Sequence, residues 1–188
     1  MTDIARVVAV VLAAGTGSRF GGRKLLAPLE GRPVLQHVLD RVAAAGIQRV
    51  IVVVGHDARE LQVTITWRDE VRVVNPDPAR GLSSSLRIGM EALPDDAEAA
   101  LIVLGDQPRV SPDVIAALLA AGVDARRPIA VPVYPDERGR NPVLLGRAAF
   151  ALVDAAGGDR GLGPVLAAHQ DLVHEIAVQG HNPDMDTR

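Results

Sequence analysis

The chain has 188 residues, a formal net charge of −3 and no cysteine. Its length and 48% hydrophobic fraction suit one domain with a sizeable core, expected to span residues 1–188. The charge argues against a coat for nucleic acid or anionic membrane, and the missing thiols exclude disulfides, thiolate metal sites and a cysteine nucleophile. No apolar run approaches the ~20 residues needed to cross a bilayer. The start "MTDIARVVAV" lacks the basic region and cleavage site of a signal peptide, so a cytoplasmic location is expected.

In chain order, "RVVAVVL" (6–12) opens the pattern as a strand, apolar at consecutive positions as if buried on both faces. A glycine-rich turn follows. "RPVLQHVLDRVAAAG" (32–46) then places Val34, Leu35, Val38, Leu39 and Val42 on one helical face, with Pro33 in the first turn and Gly46 at the exit. "RVIVVV" (49–54) and "VRVV" (71–74) read as further buried strands. "LSSSLRIGMEAL" (82–93) reads as a helix opened by serines that can cap it, and "AALIVL" (99–104) as a fourth strand. "SPDVIAALLAAG" (111–122) has Ser at the cap, Pro in the first turn and Gly at the end. "RRPIAVPVY" and "RNPVLLG" flank the polar turn "PDERGR" (135–140) as a hairpin-like excursion. Two helices are expected over 146–157 and 161–170, then a strand over 171–178. This alternation predicts an α/β fold with a mostly parallel sheet and helices on both faces.

The turn after the first strand, "LAAGTGSRFGGRK", ends on Lys24, the only lysine among 20 basic residues. Glycines allow consecutive backbone N–H groups to converge on an anion, and Arg19 and Lys24 add positive charge. The glycines fall at 15, 17 and 21, which is not the G-x-G-x-x-G of a dinucleotide fold. Lys24 is followed by Leu25, which is not a Walker A loop. On glycine content alone, an ordinary βα turn leads. A compact ammonium, however, suits a crowded polyphosphate better than a broad guanidinium.

These residues resemble the signature L-A-A-G-x-x-x-R-x-G-x-x-K of nucleotidyltransferases that join a nucleoside triphosphate to a phosphorylated acceptor. The branch making molybdenum-cofactor dinucleotides is the most similar. The resemblance implies a three-layer Rossmann-like, nucleotide-diphospho-sugar-transferase-like fold. It also implies a loop, Leu12, Ala13, Ala14 and Gly15, that wraps the nucleotide while Arg19 and Lys24 meet its phosphates. Ala14 matches the L-A-A-G of cytidylyltransferases, not the L-A-G-G of guanylyltransferases, which implies CTP.

Further along, "GDQP" places Asp106 just past a buried strand, where ligands gather in parallel sheets. Read from the residues alone, a polar turn before Ser111 is favoured. The resemblance makes Asp106 a ligand for Mg²⁺, an ion suited to carboxylate oxygen plus substrate phosphates. "NPDMDTR" resembles the late motif D-x-D-T and implies Asp186 as a second ligand, against the alternative of a solvated acidic tail. "NPDPARGLSSSLRIG" resembles the loop that contacts base and sugar, implying nucleotide-binding roles for Asn75, Gly81 and Ser84. For any one serine, simple capping is an equal reading. "RGRNPVLLG" resembles an acceptor-side segment through Gly139, Arg140 and Asn141, with Asn141 where His is typical. "GGDRGLG" keeps Asp159 but has Leu162 and Gly163 where Ala-Arg is typical, so Arg160 or Arg140 is expected to supply the missing charge.

The activity implied is transfer of CMP from CTP to the terminal phosphate of a molybdopterin-type acceptor, with pyrophosphate leaving. Arg19, Lys24 and Asp106 are the implied catalytic set, and a transient contact with a molybdoenzyme is the implied partner. A sugar phosphate acceptor, or a non-catalytic nucleotide-binding escort, are the alternatives.

Overall fold

The structure is a computed structural model describing residues 3–15, 23–136 and 139–182. The strands are β1 Val7–Ala13, β2 Pro28–Leu29, β3 Arg32–Pro33, β4 Arg49–Val54, β5 Val71–Val74, β6 Ala99–Leu104, β7 Ile129–Val133, β8 Val143–Gly146 and β9 Val173–Ala177. The helices are α1 Val34–Ala44, α2 Ala58–Thr64, α3 Leu82–Glu91, α4 Pro112–Ala121 and α5 Gly163–Ala168. Seven strands form one sheet in the order β5-β4-β1-β6-β8-β7-β9, while β2 and β3 make a separate two-stranded ribbon. Within the large sheet, β8 alone runs antiparallel to its neighbours β6 and β7.

Every residue of β1 is buried, as are nearly all of β4 and β6, because helices cover both faces. Val7, Ala9 and Val11 point into one core with Leu35 and Leu39 of α1, Leu61 of α2 and Leu118 of α4. Val10 and Leu12 point into the other, with Leu86 of α3 and Leu166 of α5. The result is a three-layer sandwich whose interior is almost entirely aliphatic. Its C-terminal edge gathers the loops after β1, β4, β5 and β6. Since β8 is reversed, the loop entering β8 joins them there.

Three expectations need correction. β5 is the sheet's edge strand, with Val71 and Val74 more than half exposed, so its apolar run does not mark burial on both faces. No serine caps α3: the cap is Gly81 (φ 90°), and Ser83, Ser84 and Ser85 lie inside the first turn. The segment expected as a helix over 146–157 is a 3₁₀ helix, Arg147–Ala155, and only Gly163–Ala168 of 161–170 is α-helical. α4 fulfils its pattern, with the Ser111 side chain accepting from Asp113 N and Gly122 closing the helix. Pro33 caps α1 from just outside, and the five predicted apolar residues of that helix are all buried. The pair over 126–146 does come together antiparallel, through Ile129 opposite Leu145 and Ala130 opposite Leu144.

Candidate active site at the sheet edge

Lys24 opens a 3₁₀ turn, Lys24–Leu26, whose Leu25 is driven into the core beneath α1. Arg23 pairs with Glu60 of α2 at 3.1 Å, and Val34 N donates to Ala27 O, so the turn is held from both sides. Burial of Leu25 leaves the neighbouring lysine side chain aimed along the sheet edge. There Lys24 Nζ reaches Asp106 Oδ2 at 2.7 Å. The lysine side chain is 10% exposed and the aspartate 31%. Sequence positions 82 apart thus meet in one ion pair.

Asp106 is carried by the turn after β6. Gly105 N donates to Leu12 O at 2.9 Å, stitching that turn to the end of β1, and Gln107 N donates back to Leu104 O. A matching close approach occurs across β1 and β4. A Cβ on Gly55 would lie 2.7 Å from the Ala14 carbonyl, so glycine there lets the first loop settle against the next strand's exit. Leu12, Ala13 and Ala14 are buried at this edge, and Gly15 is exposed. Arg19 and Asp186 lie outside the described residues.

Asn75 follows β5 and is 2% exposed. Its amide nitrogen donates to Ser84 Oγ and Ser85 Oγ, both at 2.9 Å, and its Oδ1 accepts from Asp77 N. Ser84 Oγ donates in turn to Gly81 O at 2.8 Å. The side chains of Asn75 and Ser84 therefore tie the post-β5 loop to the start of α3. A Cβ on Gly81 would sit 2.6 Å from Asp159 Oδ1 and 2.7 Å from the Gly158 carbonyl carbon. At φ 90° that position favours glycine twice over, by conformation and by contact.

A cavity of about 380 Å³ opens between the sheet and helices α3 and α5. Leu12, Leu104, Leu86 and Leu166 are among its apolar walls, and Arg140, Asn141, Arg160 and Gln170 are its polar ones. Leu104, two residues before Asp106, is one of its walls, while Lys24 and Asp106 themselves are not. Arg140 also pairs with Glu175 at 3.0 Å. Gly139 and Asp159 are exposed and are not walls of the cavity.

Sequence reasoning missed a buried polar cluster beside Asp106. Asn182 Nδ2 donates to Gln107 Oε1 (2.9 Å) and to Asn141 O (3.2 Å), and the hydroxyl of Tyr134, just past β7, donates to Asn141 O at 2.7 Å. Burial pushes the Tyr134 hydroxyl up to about 12, Asp136 adds to the rise, and the Asn182 hydrogen bond partly offsets it. Tyr134 thus stays a donor at neutral pH. The one available signal was that Tyr134 is the chain's only tyrosine in an aromatic-poor core.

The described residues hold no cluster of three or more His, Cys, Asp or Glu able to enclose a metal by themselves. A lone, one-third-exposed hard carboxylate fits Mg²⁺, which draws most of its ligands from phosphates and water. Among the described residues no helix is long and apolar enough to cross a membrane.

The bifunctional protein GlmU of Alkalilimnicola ehrlichii is 38% identical over 138 residues, covering 72% of this chain but only 29% of that protein. The chain spans less than a third of the length of such relatives. The crystal structure of Rv0371c from Mycobacterium tuberculosis H37Rv superposes with a TM-score of 0.85 at 30% identity, covering 100% of this chain and 95% of that one. Its manganese complex gives 0.81 at 29% identity, covering 96% and 93%. A nucleotidyl transferase from Methanothermobacter gives 0.73 at 27%, covering 92% and 87%. The profile of the MobA-like NTP transferase domain matches residues 9–173, most of the chain including Lys24 and Asp106, and the protein belongs to that family.

Proposed function

We propose that this protein transfers CMP from CTP to the terminal phosphate of a molybdopterin-type acceptor, releasing pyrophosphate, with Mg²⁺ as its metal. The observation that carries the reading is the 2.7 Å approach of Lys24 to Asp106 at the sheet edge. A cation and a carboxylate held this close would suit a shared polyphosphate and its metal. The chain's L-A-A-G reading at Leu12 to Gly15 favours CTP over GTP.

An acceptor phosphate is already ionised near neutral pH, so no strong general base is required. Alignment and charge neutralisation must do most of the catalysis. Lys24 would meet the phosphates of the triphosphate, with Arg19 as its expected companion. Asp106, with Asp186 as the expected second carboxylate, would hold Mg²⁺, which supplies Lewis-acid neutralisation of the phosphate oxygens when bound. The loop of Ala13, Ala14 and Gly15, with Gly81 and the Asn75–Ser84 unit behind it, would shape the nucleoside site. Arg140, Asn141 and Arg160 would face the acceptor, while Gly139 and Asp159 would support that side from outside the cavity. A molybdoenzyme receiving the product is the natural partner.

The test is a matrix of triphosphates against acceptors with Mg²⁺, read by pyrophosphate release. CTP with molybdopterin should give the highest rate. Higher rates with sugar phosphates would replace the acceptor, and nucleotide binding without any pyrophosphate would replace the enzyme with an escort.

A further inference from the structure

We propose that Asn182 is a positioning residue whose side-chain amide clamps the Asp106 turn to the loop that lines the cavity. The proposal rests on the reading of Asp106 as a metal ligand. A primary amide carries two N–H bonds in one plane, and Asn182 gives both away. One goes to Gln107 Oε1, beside Asp106, and the other to the backbone carbonyl of Asn141, a cavity wall. The three groups come from segments 75 and 41 residues apart in sequence.

The clamp is dry. Gln107 is 5% exposed, Asn182 8% and Tyr134 2%. In such surroundings a hydrogen bond is electrostatically stronger than in water, and a lost partner is costly. The Asn141 carbonyl accepts from Asn182 and from Tyr134 together, which occupies both of its lone pairs. Asn182 Oδ1, by contrast, accepts from no described residue although it is buried. The nitrogen end of the amide therefore fixes the side chain, and two donors are the property this position needs. Aspartate has the same shape but would set a third acceptor against two others; alanine would leave Gln107 and Asn141 without their shared donor.

The consequence is a link between the carboxylate's turn and the cavity wall made through a single side-chain amide. Outer partners of this kind typically govern metal affinity by about tenfold or more. The experiment follows Mn²⁺ binding to the full chain in the presence of α,β-methylene-CTP, through the electron paramagnetic resonance signal of free Mn²⁺. Alongside it, hydrogen exchange is measured at residues 105–107 and 139–141. Asn182→Ala should weaken Mn²⁺ binding about tenfold and speed exchange in both loops together. Tyr134→Phe leaves the Gln107 contact intact and should change Mn²⁺ affinity less than about twofold, well below that loss. If Asn182→Ala does not fold, Gln107→Met removes the acceptor from the opposite side and should give the same Mn²⁺ loss. A folded Asn182→Ala or Gln107→Met that binds Mn²⁺ like wild type, while Asp106→Ala does not, overturns the clamp alone. Wild-type protein that binds no Mn²⁺, or an Asp106→Ala protein that binds it normally, overturns the metal reading beneath it.

Discussion

Removing either member of the Lys24–Asp106 pair should have unequal effects on folding and similar effects on turnover. At 2.7 Å, with an effective dielectric of about 20, the gross attraction is about 6 kcal/mol. Desolvation cancels most of it. Breaking a fully buried pair costs about 3–5 kcal/mol, and the 31% exposure of Asp106 reduces this to about 1–2 kcal/mol. Asp106→Ala takes a counter-ion from a lysine side chain that is only 10% exposed, so it should bear the larger cost of the two. For a chain of this size the melting temperature would fall by about 2–8 °C. Lys24→Ala leaves the more exposed carboxylate, which water can solvate, and should lower it less. Asp106→Asn keeps an acceptor for the ammonium and should melt nearest to wild type. In pyrophosphate-release assays all three should lose about 10²–10³ in turnover, the scale of one preorganised electrostatic contact. Turnover within threefold of wild type in Lys24→Ala or Asp106→Asn would remove that group from the chemistry. A Lys24→Ala protein that melts below Asp106→Ala would refute the burial argument.

Arg160→Ala should raise the acceptor KM about tenfold, a typical loss for a charge-assisted contact, with the triphosphate KM unchanged; equal changes in both would deny it an acceptor role. Gly81→Ala should destabilise by about 1–3 kcal/mol, because the added methyl meets Asp159 and the Gly158 backbone at a positive φ, and a denaturant melt reads this directly. Asp40 shows a pH effect away from the site. Burial acts to raise its pKa, but hydrogen bonds from Arg68, Gln36 and Arg32 outweigh it and hold it below 3.8. Its contribution is therefore present above pH 3.8 and lost as pH falls through the lower folded value. The stability gap between wild type and Asp40→Asn should be constant from pH 7 to about 5 and should close below pH 3.8, as followed by urea melts at each pH.

The central strands were legible because an all-aliphatic run buried on two faces leaves little alternative. β5 shows the limit of that logic: three valines around Arg72 lie on an edge, and that one charged residue was the local sign that the strand is not buried on both faces. α2 was missed because only Leu61 of its seven residues is fully buried, so no periodic stripe exists to read. The serines of α3 carried a capping signal, yet Gly81 took the cap because Asp159 and Gly158 crowd that point, a contact made across 78 residues of chain. Lys24 and Asp106 stood out through a lone lysine and a turn past a buried strand. Asn182 did not, because its role depends on two partners that only the folded sheet edge brings near.

The reversal of β8 has a consequence for how such an enzyme can diversify. In an all-parallel sheet, the segment entering a strand sits a strand's length away from the ligand rim, about 15 Å or more. Running backwards, β8 delivers its leading segment to the rim directly, through a short connection from β7. Lengthening or exchanging that connection would remodel one wall of the cavity and leave β1, β4 and β6 untouched. The architecture thus separates a constant half from a replaceable one, and chimeras cut at residues 134 and 142 are the place to exploit the division.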